Sequence, residues 1–356
     1  MRISYALTKD LLEKIFHAYG FSEEESGVIV DSLLAADLAG IESHGIQRLV
    51  RYDEAVRSGM VVVDAKPETV WNTPISSVID AHRAMGQLVS VQAMKLAIEK
   101  AKTTGIGMVA VRNSNHFGIA GYYTRMASKE GLIGISMTNS EAIMVPTGSR
   151  QAMLGTNPIS VAFPADPVDF CFDAATTVVP RGKLEVYRKA EKETPDGWMV
   201  DADGYPCNDP DKVIQNISSR AGGGILPLGG CTELTGGHKG YGYGMFCELF
   251  TSVLSGGPPS YRTYQEPNVA DSAHFFMAID CNAFGDPEAL KAACSGLLED
   301  IRNAAPAQEG QRIYIHGEKE AEFAATVYAD GIPVNEKTVK EMETIAHNLH
   351  IPFSIV

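Results

Sequence analysis

The spacing of apolar and polar positions changes along the chain, and the change predicts where helices give way to strands. Residues 8 to about 58 carry a helical period. Ser22 followed by Glu23, Glu24 and Glu25 reads as an N-cap with an acidic first turn, opening a run with apolar positions at Val28, Ile29, Leu33 and Leu34. A second helix is predicted over the polar-apolar stretch 43–56. The pattern then shortens to strand 76–81, helix 87–105 ending at a glycine, strand 107–114, helix 119–131 and an extended segment 132–140. Strand and helix alternating at this spacing predict an α/β fold, with a mixed or parallel sheet and helices against it. Two further strands are predicted at 159–165 and 169–176. The stretch 193–235, rich in Gly, Pro, Asp and Asn, is expected to be mostly loop. An apolar helix (241–256), a strand (274–280) and helices 287–304 and 335–349 complete the pattern. The organisation expected is a helical N-terminal region (1–75), an α/β body (76–310) and a C-terminal segment (311–356) that packs back on the N-terminal region.

Composition narrows the function classes. The chain has 356 residues, 45% hydrophobic and 21% charged, near the average for a soluble globular protein. Its formal charge of −14 argues against broad nucleic-acid binding and against docking on an anionic membrane surface. A small anionic substrate then requires a local cluster of cations. The opening MRISYALTKDLLEKIF has no apolar signal region, and no stretch approaches the roughly 18–20 apolar residues of a membrane span, so a cytoplasmic location is expected. The six cysteines show no CxxC pair and are expected to be free thiols.

The dinucleotide fingerprint GxGxxG is not found in its required context. The nearest match, Gly105-Ile-Gly107-Met-Val-Ala110, follows a predicted helix and has its strand inside the match, so Gly105 reads as a helix C-cap. A second glycine-rich tract, 221–244, leads into the apolar helix. Its backbone N–H groups and Lys239 suit phosphates or a carboxylate, and it reads equally as a turn-rich connector.

Three constellations carry candidate chemistry. On one helix, His44, Arg48 and Tyr52 fall at i, i+4 and i+8 and share a face: the arginine matches a carboxylate, and His and Tyr suit a hydroxyl or oxo group. The pattern alone fits a solvated polar face as well. Asn113-Ser114-Asn115-His116-Phe117-Gly118 sits between a predicted strand and helix, where α/β proteins place ligands; His116 is either an acid/base or a satisfied capping-loop histidine. Met137-Thr138-Asn139-Ser140 and Gly155-Thr156-Asn157-Pro158 offer small hydrogen-bonding residues at strand ends, suited to a bound amide or ribose, or simply to turns. The nine histidines lack HxxxH or HxH spacing, so no metal site is expected.

Taken together, ESHGIQRLVRY, VRNSNHFGIAGYY, MTNSEAIMVPTGS, LGTNPISVAFPA, DAATTVVPRGK, ILPLGG and GGHKGYGYGMFCELFTSVLSG resemble the malate/L-lactate dehydrogenase family of the non-Rossmann type. That family also includes sulfolactate and ureidoglycolate dehydrogenases, diketogulonate reductases and cyclic imino-acid reductases. The matches run in family order from residue 42 to 256. The resemblance implies a fold that binds NAD or NADP without the glycine fingerprint, with a central mixed sheet. It implies a homodimer whose neighbouring subunit completes the site, and hydride transfer between the nicotinamide and a small 2-hydroxy or 2-oxo acid. Malate is the first substrate expected, with Arg51 or Lys239 supplying a second cation; a cyclic imino acid is the alternative, and an inactive binding relative a remoter one. By the resemblance, His116 is the general acid/base, with His44 beside it to polarise the C2 oxygen. His44, Arg48 and Tyr52 form the substrate end, Arg48 pairing the carboxylate. Ser140, Asp173, Ala174, Ala175 and Thr176 are cofactor contacts, and Lys183 and Lys239 are charge partners of cofactor or substrate. Two departures stand out: Pro180 where the family more often has alanine before RGK, and His316-Gly317-Glu318 where PGE is more usual. The first is expected to shift Lys183, the second to affect only a loop.

Overall fold

The computed structural model describes residues 1–355. The chain opens with β1 (Arg2–Ile3), α1 (Tyr5–Ala18) and α2 (Glu23–Leu38). Ser22 caps α2 as its sequence predicts, in a reciprocal box: the Glu25 N–H donates to Ser22 Oγ (3.2 Å) and the Ser22 N–H to Glu25 Oε2 (2.8 Å). Two short 3-10 turns (Glu42–His44 and Ile46–Arg48) then lead into α3 (Leu49–Arg57). The body follows with β2 (Glu68–Asn72), β3 (Ser76–Asp80), α4 (Gly86–Thr104), β4 (Ile106–Ser114), α5 (Ala120–Ser128), β5 (Leu132–Thr138), β6 (Ile159–Phe163) and β7 (Phe170–Ala174). Next come α6 (Arg181–Lys189), β8 (Met199–Val200), α7 (Pro210–Ser219) and β9 (Gly224–Ile225). After α8 (Gly237–Glu248), which runs on through a π-helical turn (Leu249–Val253), the chain makes β10 (Ser272–Asp280), α9 (Pro287–Arg302), α10 (Glu318–Asp330), β11 (Ile332–Pro333) and α11 (Glu336–Asn348).

The central sheet has seven strands in the order β2-β3-β4-β10-β5-β6-β7. The sheet is mixed: β3 and β4 are its one parallel neighbouring pair, and β10, arriving from far along the chain, inserts antiparallel between β4 and β5. Helices α4 and α5 cover one face, where Val89, Ala93, Met94 and Ala97 pack on Val109, Val111 and Phe276. The other face carries α8 and its π-helical extension through Cys247 and Phe250 on Met137 and Phe275. A separate apolar cluster joins α1, α2 and α3 to the tail: Leu12, Phe16, Ile29, Leu33 and Tyr52 pack with Val327, Ile332, Met342 and Ile345. Among the described residues no helix is long and apolar enough to cross a membrane.

Several elements were not predicted from the sequence, among them α6, α10, α7 and β2. The region 193–235 is mostly loop, as expected, but it also holds α7, which is capped by Asp209, whose carboxylate accepts from the Asp211 and Lys212 N–H groups, with Pro210 at the first helical position. Its apolar face, Val213, Ile214 and Ile217, closes a small core with Leu184, Met199 and Ile225. Strand β2 went unseen because every one of its residues is exposed, so it shows no alternation.

Candidate active site

Strand β4 runs directly into the turn that presents His116. Asn115 fixes that turn from beneath: its amide donates to the Arg83 and Ala84 carbonyls at 2.9 and 3.0 Å. The His116 Nδ1 lies 2.8 Å from the Tyr52 hydroxyl and 3.4 Å from the Gly118 N–H, which leaves Nε2 for a ligand. The His44 ring stacks beside it, centroids 5.6 Å apart, with its own Nδ1 held by Ser43 Oγ at 2.8 Å. Arg48 Nε donates to the Ser43 carbonyl, and Arg51 Nη2 lies 3.3 Å from the Tyr264 hydroxyl. Neither guanidinium forms an ion pair with a carboxylate among the described residues.

The structure thus gathers His44, Arg48, Tyr52 and His116, but not along one helix face. The predicted helix is broken at Gly45 (φ −86°, ψ −148°), so His44 sits on the first 3-10 turn, Arg48 ends the second and only Tyr52 lies within α3. Burial pulls the His44 pKa down to about 3, with Arg48 and Arg51 adding to the effect. His116 is held well below the usual histidine range by burial, then by Arg51, His44 and Arg48. Burial pushes the Tyr52 hydroxyl up to about 12. At neutral pH both rings are uncharged, Tyr52 keeps its proton, and the net charge of the cluster is that of its two arginines.

A second group lies at the ends of β5 and β7. Ser140 Oγ accepts the Thr156 N–H at 3.1 Å; Thr176 donates its N–H to Thr156 O (2.9 Å) and its hydroxyl to the Thr156 and Asn157 carbonyls (3.0 and 3.2 Å). Thr156 therefore joins Ser140 to Thr176, with Ala174 and Ala175 leading in from β7. The Thr176 carbonyl accepts the Leu228 N–H (3.0 Å), and Gly240 in the first turn of α8 lies so close to Leu228 that a Cβ there would overlap its backbone. The start of α8, which has no side-chain cap, is thereby held beside the Ser140–Thr156–Thr176 cluster, with Lys239 exposed in its first turn.

Two predicted residues point elsewhere. Asp173 accepts the Gly121 N–H at 2.6 Å, at the start of α5, and burial raises its pKa to about 6. Lys183 is exposed on α6; the neighbouring Gly182 packs near Ser43 and Arg48, which puts this turn beside the histidine–arginine cluster. Arg181, paired with Glu141 at 3.1 Å, ties the start of α6 to the residue after Ser140. Pro180 is simply the residue that precedes α6, and Gly317 (φ +106°) starts α10 while His316 packs edge-on against Phe170 and Phe172 of β7. The His316 segment is thus docked on the sheet, beyond a free loop.

Sequence reasoning missed Glu248. Its buried carboxylate accepts the Ser260 N–H (2.7 Å) and hydroxyl (2.6 Å) and the side-chain amides of Asn157 (2.8 Å) and Asn139 (3.3 Å). It clamps the residues flanking Ser140 and Thr156 to α8, and the π-helical turn begins at the next residue. The one available signal was a lone acidic residue in an otherwise apolar helix.

Residues 3–343 match the profile of the Malate/L-lactate dehydrogenase family. The chain is 43% identical over 340 residues to the malate dehydrogenase of Pyrococcus abyssi, covering 95% of this chain and 92% of that one. It is 36% identical to the malate/(S)-sulfolactate dehydrogenase of Methanothermus fervidus, covering 99% of both. The crystal structure of malate dehydrogenase from Entamoeba histolytica superposes with a TM-score of 0.95 at 34% identity, again over 99% of both chains. The fold, the strand-end cluster of histidines and arginines and these matches agree: the chain belongs to the malate/L-lactate dehydrogenase family, oxidoreductases that work on small hydroxy acids with a nicotinamide cofactor.

Proposed function

We propose that the enzyme interconverts malate and oxaloacetate, using NAD or NADP. The observation that carries the reading is the pair Arg48 and Arg51, two recessed guanidiniums beside the paired histidines that form no ion pair with a carboxylate among the described residues. A dianionic acid answers both cations, whereas a cyclic imino acid, with one carboxylate, leaves one unpaired. Relatives named for malate and sulfolactate fit the same charge count.

The residues at the Ser140 end suit a dinucleotide. They offer an uncapped helix start, Lys239, the Ser140, Thr156 and Thr176 hydroxyls, and the buried Thr177 Oγ1, which has no partner among the described residues. Lys183, at the other end, is placed to meet substrate charge. When bound, the nicotinamide supplies the hydride chemistry. Arg48 and Arg51 bind and orient the acid so that its C2 carbon is fixed. In the tautomer whose Nδ1–H donates to the Tyr52 hydroxyl oxygen, His116 Nε2 carries a free lone pair; it takes the C2 hydroxyl proton in oxidation and returns it in reduction. His44 stabilises the C2 oxygen from the stacked position. The substrate itself tunes the base: in the free enzyme the two arginines depress the histidines, and an arriving dianion offsets those charges and raises their basicity.

A homodimer is part of this proposal. Tyr243, Phe246, Leu249 and Val253 make one apolar stripe along α8 and its extension, with Val253 64% exposed, a face that suits a second copy of the chain. The test of function is absorbance of the nicotinamide with NAD or NADP and malate, lactate, sulfolactate, ureidoglycolate and cyclic imines. Malate turning over fastest supports the reading and identifies the cofactor; a cyclic imine or lactate outpacing malate overturns it.

A further inference from the structure

We propose that Asp37 is the positioning residue of the substrate end, holding through one buried hydrogen bond the loop that carries His44 and Arg48. This rests on the reading of those two side chains as substrate contacts. Asp37 lies in the last turn of α2, whose Ile29, Val30, Leu33 and Leu34 are fully buried, so its backbone is held by a packed helix. Its side chain is 4% exposed and Oδ2 accepts the Ile46 N–H at 2.8 Å. Ile46 stands between His44 and Arg48.

The carboxylate also explains the glycine of Ser-His-Gly. Gly45 lies so close to Asp37 that a Cβ would overlap both carboxylate oxygens. Position 45 must be bare for the carboxylate to reach the Ile46 N–H. One backbone bond, Ile41 N–H to Ala36 O (2.8 Å), ties the start of the loop to α2; beyond it the backbone bonds are short-range 3-10 bonds, His44 N–H to Ile41 O (3.0 Å), Gly45 N–H to Glu42 O (3.3 Å) and Arg48 N–H to Gly45 O (2.8 Å), so past His44 the Asp37 carboxylate is the bond that reaches the packed helix. No cation pairs with Asp37 among the described residues, and Glu42 is a like charge nearby. A buried carboxylate with one donor is poor for stability. Its position fits a role in placing His44 and Arg48, which need close placement to stabilise the C2 oxygen and to pair the carboxylate.

The test is steady-state kinetics of the full-length enzyme with saturating cofactor, and then with saturating malate, on Asp37→Ala, Asp37→Asn and Gly45→Ala. Asp37→Ala is expected to lower kcat/KM for malate by roughly 10- to 100-fold while leaving the cofactor KM unchanged. Asp37→Asn, which keeps an oxygen for the Ile46 N–H, is expected to recover most of that loss. If Asp37→Ala does not fold, Gly45→Ala, which expels the carboxylate by its new Cβ, is expected to show the same split. Wild-type kcat/KM for malate in Asp37→Ala, equal losses for malate and cofactor, or an Asn variant as impaired as Ala each overturn the proposal. Arg48→Ala run alongside separates the two ideas: if it leaves malate KM unchanged, the substrate-end reading has failed, and if it raises KM while Asp37→Ala does not, only the Asp37 proposal has.

Discussion

The histidine–arginine cluster, proposed as the substrate end, and the Ser140 cluster solve the burial of polar groups in opposite ways. At the substrate end, two guanidiniums form no ion pair among the described residues, two histidines are forced neutral, and one carboxylate has a single donor. At the Ser140 end, hydroxyls and amides satisfy one another, and even the buried Glu248 accepts from four donors. The first end is electrostatically incomplete until a ligand arrives, so its pKa values and affinities respond to that ligand. The second satisfies most of its polar groups without one, Thr177 Oγ1 and the uncapped start of α8 excepted, and acts as a rigid frame. Substitutions should therefore have large, ligand-specific effects at the first end and small, additive ones at the second.

The sharpest break is His116→Ala. Removing the base should lower kcat by roughly 10²- to 10⁴-fold, with cofactor affinity nearly unchanged, as read by turnover and by cofactor titration. In the wild type, kcat/KM for malate oxidation should show no inflection near pH 6.5 from His116, because the free enzyme's ring stays neutral well below that value. Wild-type turnover in the variant assigns the base elsewhere, with His44 the next candidate.

Arg51→Gln probes the charge count. Losing a recessed cation that pairs the second carboxylate should raise the malate KM by about 100-fold, from the several kcal/mol that a broken buried pair costs. Lactate, with one carboxylate, should lose far less. If both acids weaken alike, Arg51 supports the loop and does not read the substrate.

How much of this was legible in the sequence depends on the range of the interaction. Short-range signals came through: the Ser22 box, the left-handed glycine that ends α4, and the alternation of β4, β5 and β10 match the structure. The substrate cluster was found by a period that the backbone does not keep. Gly45 breaks the helix, and tertiary packing brings Tyr52 to His116, 64 residues away. Asp37 and Glu248 were invisible because a single acidic residue in a helix looks like a solvated one. What distinguishes Glu248 is a set of partners 91 and 109 residues distant, which no local pattern encodes.

Asp37 gives the comparison a thermodynamic handle. Burial, the dominant cause, raises its pKa to about 7, well above the unfolded value near 3.8. An acid so shifted favours the folded state while protonated; its contribution is full below about pH 4 and is lost as pH rises through about 7. The neutral histidines act with the opposite sign, weakening the fold as pH falls below about 6.5. Asp37→Asn, neutral at every pH, should thus raise Tm at pH 8 and leave it near wild type at pH 4, measured by thermal denaturation across that window. A gain of equal size at both values would mean that packing, not ionisation, sets the effect.

The smallest effect belongs to the Ser140 end. Ser140 Oγ accepts the Thr156 N–H and lies 3.4 Å from its hydroxyl, so Ser140→Ala removes one neutral partner from a network with others in reserve. The expected cost is about 0.5–1.5 kcal/mol, a rise in cofactor Kd of roughly 2- to 10-fold, followed by quenching of protein fluorescence on titration. The malate KM at saturating cofactor should not move, because no hydrogen bond of Ser140 reaches His44, Arg48 or Arg51 among the described residues. A change confined to malate, or one as large as that of Arg51→Gln, would mean that the two ends are not separable and that the rigid-frame reading of the Ser140 cluster is wrong.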